Sequence, residues 1–202
     1  MKRVTLHDTT PASAPVPTTD TLIEEVAAAV ERRRDEVLEL RRDLHAHPEV
    51  SWQEHRTTAV VIERLEAEGV VVRALPGSGA IADLGAAEPR VRIALRADLD
   101  ALPIDEETGL SFASRQQGVC HACGHDVHTA AVLGAGLALA AIQDRLERMS
   151  VGVRLIFQPA EESIPGGAHA VVEGGWMEGV DRVLAVHCDP SIDVGTIGLK
   201  VG

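Results

Sequence analysis

Val151-Gly152-Val153-Arg154-Leu155-Ile156-Phe157-Gln158, followed at once by Pro159-Ala160-Glu161-Glu162, governs the reading of this chain. A short, largely apolar run closed by a proline reads as a buried strand with two carboxylates at its carboxyl end. Upstream, residues 127–143 form a small-residue helix opened by Asp126, and its Gly134 and Gly136 let another backbone approach closely. Before it, Asp98 to Gly124 has no strong period, and loops of that length inside a compact domain are usually functional. Three short aliphatic strands precede the loop, Val70–Ala74, Ala80–Leu84 and Val91–Ala97, the first two parted by the turn Pro76-Gly77-Ser78-Gly79. Two helices come earlier still: one from Thr21 to about His45 with Asp20 as its cap, one from Glu54 to Glu68 that stops at Gly69. Residues 1–20, rich in Thr, Pro, Ser and Ala, read as a flexible tail before a single unit over 21–202. Downstream lie a short helix at Gly166–Glu173, a buried strand at Arg182–His187 and a strand at Gly195–Val201. Strand and helix alternate, which predicts an α/β fold: a mixed, mostly parallel sheet with helices on both faces.

Bulk composition narrows the function. The chain has 202 residues, 45% hydrophobic, so a packed core is feasible. A net charge of −12 argues against nucleic acid or an anionic membrane as partner. Two Trp, two Phe and no Tyr leave little for a base-stacking platform. Three cysteines, Cys120, Cys123 and Cys188, lack a disulfide framework and suggest a reducing, cytoplasmic setting, and the start MKRV has no apolar signal core. The longest apolar run, Ala130 to Ile142, is too short to span a bilayer.

Ligands in open α/β sheets collect beyond the carboxyl ends of strands. Asp98 and Asp100, Glu161 and Glu162, and His187 each follow or close a predicted strand, and Cys123-Gly124-His125 lies just before a helix. Four segments can therefore bring metal-type ligands to one sheet edge. Cys123 and His125, two apart on irregular backbone, can turn to one ion; a thiolate and an imidazole suit zinc, manganese, cobalt or nickel better than magnesium or calcium. Taken alone, the pair reads more often as a buried cysteine beside a helix-capping segment. His121 and His128 flank it and can orient neighbours. Adjacent Glu161 and Glu162 point apart, so one can bind metal while the other faces substrate as a general base; a solvated surface pair is the bland alternative. Asp98 and Asp100 either support a ligand histidine or cap the turn at Pro103. His187 alone reads as a core histidine. His45 and His47 read as structural, and Cys120 and Cys188 as packing residues.

Whole motifs then point one way. Arg42-Asp43-Leu44-His45-Ala46-His47-Pro48-Glu49 resembles the N-terminal signature of the aminoacylase/carboxypeptidase metallohydrolases of peptidase clan MH. Leu95-Arg96-Ala97-Asp98-Leu99-Asp100-Ala101-Leu102-Pro103, His121-Ala122-Cys123-Gly124-His125-Asp126 and Phe157-Gln158-Pro159-Ala160-Glu161-Glu162 resemble, in order, the central motifs of its amidohydrolase branch, which includes hippurate hydrolases and auxin-conjugate (IAA-amino acid) hydrolases. The resemblance covers about residues 22–202. It implies Cys123, His125, Glu162 and His187 as metal ligands, Glu161 as general base and Asp100 as the catalytic aspartate supporting the metal site. It implies two zinc or manganese ions and an N-acyl amino acid as the small-molecule substrate. Family members are about twice this length, and their lid domain, often a dimer interface, and last metal histidine lie beyond the equivalent of Gly202, so the expectation is the N-terminal part of the catalytic domain. The alternatives are a non-catalytic metal-binding or interaction fragment, and a dipeptidase or desuccinylase of the same family. Cys123 speaks against the latter pair, whose bridging ligand is an aspartate.

Overall fold

The computed structural model describes residues 19–199. Five strands, β1 (Val72–Ala74), β2 (Ala80–Gly85), β3 (Val91–Asp98), β4 (Val151–Gln158) and β5 (Arg182–Ala185), make one sheet in the order β1-β2-β4-β3-β5. β3 and β4 run parallel in unbroken register from Val91 opposite Val151 to Asp98 opposite Gln158. β5 joins β3 in parallel, with Ile93 opposite Arg182. β2 is antiparallel to both of its neighbours, so it alone among the described strands points the other way. The sheet is mixed, as the alternation of elements predicts, with two parallel and two antiparallel pairings among the described strands rather than a parallel majority.

β4 is central and buried on both faces, one wholly apolar and the other carrying Ile156 between Arg154, which pairs with Asp83, and Gln158, which accepts from Arg96. Val153, Leu155 and Phe157 join the larger core, where Leu40 and Leu44 of α2 (Arg34–Ala46), Val61 and Leu65 of α3 (His55–Ala67) and Leu133 and Leu137 of α4 (His125–Ala140) converge. The alternate residue Ile156 faces the other way, onto Ile81, Ala94 and Val171 of α6 (Gly167–Glu173). Helices thus cover both faces. α4 can lie close because of its glycines. A Cβ on Gly136 would fall 2.4 Å from Leu155 Cδ1, and one on Gly134 would fall 2.8 Å from Val37 Cγ2.

Several elements differ from expectation. The first helix is two, α1 (Thr19–Arg32) and α2, broken at Arg33, whose guanidinium pairs with Glu36 and Glu68. Asp20 lies inside α1 instead of capping it. α4 starts earlier than Val127, with Gly124 as its cap in the left-handed region at φ +84, and this puts His125 and Asp126 in its first turn. A separate α5 (Gln143–Arg148) follows, anchored by buried Leu146. β5 is shorter than Arg182–His187 and exposed throughout, not buried, because among the described residues only β3 lies against it. Gly195–Leu199 forms no strand, and residues 200–201 lie outside the described ones. So does the expected tail up to residue 18. No helix among the described residues is long and apolar enough to cross a membrane.

Candidate metal centre

The parallel strands β3, β4 and β5 end at one edge of the sheet, and α4 begins there. Beyond β3 the chain stays extended for two more residues: Leu99 N–H donates to Gln158 O at 3.1 Å, and Leu99 fills the core. Asp98 and Asp100 flank it at the edge, each 1% exposed. Asp98 Oδ1 lies 2.6 Å from His128 Nδ1, and its Oδ2 accepts from Arg96 Nη1 at 2.6 Å. Asp100 accepts from Ser51 Oγ at 2.6 Å and from the backbone N–H groups of Glu161 at 3.0 Å and Glu162 at 2.9 Å. Burial alone would raise the Asp100 carboxyl, but His125, Ser51 and the two amides hold it well below the usual carboxylate range. Asp98 is lowered too: His128, His125 and Arg96 outweigh the cost of its burial.

His125 stands at the centre of this arrangement. Its Nδ1 is 3.3 Å from Asp100 Oδ1, and its Nε2 is 3.6 Å from Asp98 Oδ2 and 3.8 Å from Glu162 Oε1. Burial would favour the neutral ring, yet Asp100 and Asp98 raise its pKa. The Cys123 thiol is pushed up to about 11, first by burial, then by its hydrogen bond to Glu162 and the charges of Glu162, Asp98 and Glu161. Potential ligand atoms of Cys123, His125 and His187 lie within 4.8 Å of one another, as do those of His125, Glu161 and Glu162, and those of Asp98, His125 and His128. The structure therefore brings Cys123, His125, Glu161, Glu162 and His187 together with Asp98 and His128, with His125 common to all three groups and Asp100 beside it.

His187 Nε2 is 3.6 Å from Cys123 Sγ, while its Nδ1 is 2.7 Å from Cys188 O. A carbonyl only accepts, so Nδ1 is the donor, and in the neutral ring Nε2 is the nitrogen with a lone pair. His128 Nε2 accepts the Cys188 N–H at 2.8 Å, which fixes its other nitrogen as the donor to Asp98. His128 thus ties the His187-Cys188 segment to the strand end, a link that sequence spacing does not reveal. Cys188 is exposed, contrary to its expected packing role, whereas Cys120 is buried as expected.

His45 and His47 stay out of the centre. His45 Nδ1 lies 2.8 Å from Asp126 Oδ2, its Nε2 3.1 Å from Glu106 Oε1, and Arg41 Nε reaches the same Asp126 oxygen at 2.8 Å. Glu106 also receives Ser114 N–H at 2.6 Å, so this buried network fastens the long loop to α2 and to the first turn of α4. Nothing in the sequence singled out Glu106. His121, buried beside the network, has its pKa pushed down to about 4 by burial.

The donor set can be tested against a cation. Both ring nitrogens of His125 are buried without a directed hydrogen bond, and an orphaned buried polar atom implies a missing partner. Around it stand carboxylates, an imidazole and a thiol whose pKa is raised first by burial and then by its bond to Glu162 and the nearby acids. Sulfur, nitrogen and oxygen donors together fit a divalent transition-metal ion or zinc.

The sequence model described as Peptidase family M20/M25/M40 matches residues 94–202, more than half of the chain. The chain belongs to this family. Within M20/M25/M40, N-acetyl-L-cysteine deacetylase of Bacillus subtilis (strain 168) is 46% identical over 168 residues, covering 83% of this chain and 39% of its own. N-acyl-L-amino acid amidohydrolase of Geobacillus stearothermophilus is 41% identical over 180 residues, covering 89% of this chain and 48% of its own. Among solved structures, the Bacillus subtilis YXEP protein, described as a dinuclear metal binding peptidase from the M20 family, aligns with a TM-score of 0.75 and 43% identity over 87% of this chain and 48% of that one. The chain thus spans less than half the length of each of these M20 relatives.

Proposed function

We propose that this chain is the metal-holding part of an amidohydrolase that cleaves the amide bond of N-acyl amino acids. The observation that carries the proposal is His125, buried and without a directed hydrogen bond amid a thiol, an imidazole and carboxylates. The names of the deacetylase and amidohydrolase relatives support the substrate class. Cys123, His125, Glu162 and His187 would hold the metal, zinc or manganese in the first instance and cobalt or nickel next. The YXEP neighbour's dinuclear centre supports a pair of ions. Bound there, a divalent ion supplies Lewis-acid polarisation of the amide carbonyl and acidification of water.

The chain's own residues do the rest. Glu161 and Glu162 leave adjacent backbone positions, so one carboxylate can serve the metal while the other faces substrate. Glu161 accepts the proton of the attacking water on its carboxylate and returns it to the amine nitrogen as the C–N bond breaks. Asp100, holding both amides of the pair and facing His125, keeps base and ligand in register. A protein of the relatives' full length would add the remainder of the pocket and form a homo-oligomer.

Titration of the purified 202-residue chain with Zn²⁺ and Mn²⁺ tests the metal reading, and release of free amino acid from N-acetyl and N-benzoyl amino acids tests the chemistry. Absence of metal binding would sink the proposal. Metal binding without turnover favours a second reading, a metal-binding fragment that is not itself a catalyst; the chain's span of under half its relatives' length supports that alternative.

A further inference from the structure

Glu54 lies outside the motifs that the sequence brings forward, yet it is 0% exposed. A carboxylate taken wholly out of water needs strong donors. Ser78 Oγ donates to its Oε2 at 2.5 Å, and the backbone N–H of Ala160 donates to its Oε1 at 2.7 Å. The next two amides, of Glu161 and Glu162, end on Asp100. Three consecutive N–H groups are therefore held by two buried carboxylates.

The backbone at this point requires holding. Ala160 has φ +48, in the left-handed region that a side chain disfavours, and such conformations persist only where the surroundings over-determine them. Gly79, itself at φ +89, presses on the segment so closely that a Cβ there would fall 2.6 Å from Pro159 Cδ. Gly167 would meet Pro159 O at 2.0 Å, and its N–H donates to Ala160 O at 3.0 Å. Gly79 N–H donates to Thr58 Oγ1 at 2.8 Å, and Thr58 Oγ1 donates to Glu54 O at 2.5 Å. Glu54 thus joins the start of α3, the 76–79 turn and the 159–162 segment.

We infer that Glu54 is the positioning residue of the Glu161-Glu162 pair: by accepting the Ala160 N–H, its buried carboxylate fixes the backbone turn from which both acids leave the end of β4. The functional consequence rests on the reading of those acids as site residues. The bond from Glu54 to this segment is to the Ala160 amide, so it acts through the backbone. Glutamine can replace it, since its carbonyl accepts from Ala160 while its amide faces Ser78 Oγ, a hydroxyl that can turn to accept. Alanine leaves both partners unpaired.

The test compares wild type, Glu54→Ala, Glu54→Gln and Ser78→Ala in the 202-residue chain, by amide hydrogen exchange at 160–162 and by titration with Co²⁺ followed through its visible absorption. In Glu54→Ala, exchange at Ala160 should quicken on the order of tenfold to a hundredfold, and Co²⁺ affinity should fall by about tenfold to a hundredfold with a changed spectrum. Glu54→Gln should restore both, and exchange in β3 should not move. Ser78→Ala should shift both readouts the same way by less, and it carries the test if Glu54→Ala does not fold. Unchanged exchange at 160–162 in the folded variants overturns the inference. Faster exchange with unchanged Co²⁺ affinity and spectrum also overturns it, because Glu54 would then be structural only. A wild-type chain that takes up no Co²⁺ sinks the metal reading on its own; the exchange comparison still decides whether Glu54 holds the segment.

Discussion

Asp98, Asp100, His125 and His128 are each about 1% exposed and stand on the end of β3 and the first turns of α4, whereas His187 and Cys188 belong to a segment, 181–199, in which every residue is exposed. One centre thus has a floor set in the core and a wall set on an edge. The floor is preorganised: its acids are satisfied by backbone amides, a serine and histidines before any cation arrives. The wall hangs from β5, which among the described residues pairs with β3 alone, and from contacts at its tip: Cys188 N–H to His128, His187 to Cys123, and the His187 ring 4.7 Å from that of His128. Segments with few buried contacts open locally at low free-energy cost. Floor substitutions should therefore cost stability and metal affinity together, while wall substitutions should cost metal affinity alone.

The largest effect is expected at Asp100. Asp100→Ala strands Ser51 Oγ and two amides near a buried histidine, and breaking a buried pair typically costs about 3–5 kcal/mol. Urea denaturation should show a loss of that order. The pH dependence has a definite sign. A carboxyl held below its unfolded value stabilises the fold above that value, about 3.9 for an aspartate, and this contribution fades as pH falls toward the folded pKa. Wild type should lose stability below about pH 4 more steeply than Asp100→Asn. Parallel acid limbs would remove Asp100 from the floor's accounting.

Next come the two histidines, one from each region. His125→Gln and His187→Gln should each weaken Zn²⁺ binding by at least the roughly 10–100-fold that losing a ligand's supporting partner costs. They should differ in Tm. His125→Gln removes a buried imidazole that stands between the carboxylates of Asp98 and Asp100 and should destabilise by about 1–3 kcal/mol. His187→Gln should leave stability within about 0.5 kcal/mol, as exposed positions do. Equal Tm losses would mean that floor and wall fold as one unit. His128→Phe cuts the link between them; metal affinity should fall by about tenfold, with faster amide exchange at Cys188.

The floor was far more legible in the sequence than the wall. β4 is bounded in the structure as its apolar run and closing proline indicate, and Asp98, Asp100 and Glu161-Glu162 declared themselves by following strands. Motif spacing marked Cys123 and His125. What stayed hidden is nonlocal. The links from His128 to Cys188, from Asp126 to His45 and from Glu54 to Ala160 cross 60, 81 and 106 positions of chain, and no local pattern encodes them. The break at Arg33 escaped because the apolar period runs through it while the polar partners Glu36 and Glu68 decide the bend. β5 misled for the opposite reason. Val183 to Val186 has the composition of a buried strand, but burial depends on what lies alongside, and β3 lies on one side only.

The smallest effect on stability is expected on that strand, and it tests the wall most directly. Leu184 is 58% exposed and Val183 46%. Little apolar area is hidden at Leu184, so Leu184→Lys should change the unfolding free energy by no more than about 0.5 kcal/mol. Self-association should respond much more, because an apolar edge strand with unpaired backbone groups is a template for pairing with another chain, and a lysine there opposes it. Sedimentation velocity across a concentration series should show wild type associating and Leu184→Lys remaining smaller at the same concentration. A loss of more than about 1 kcal/mol exceeds what an exposed position gives up; it would show that Leu184 is covered in solution and the wall is not open. Unchanged sedimentation with unchanged stability would mean that the edge is already guarded by the charges beside it, Asp181 and Arg182, and that the contrast between floor and wall lies in side-chain burial rather than in free backbone.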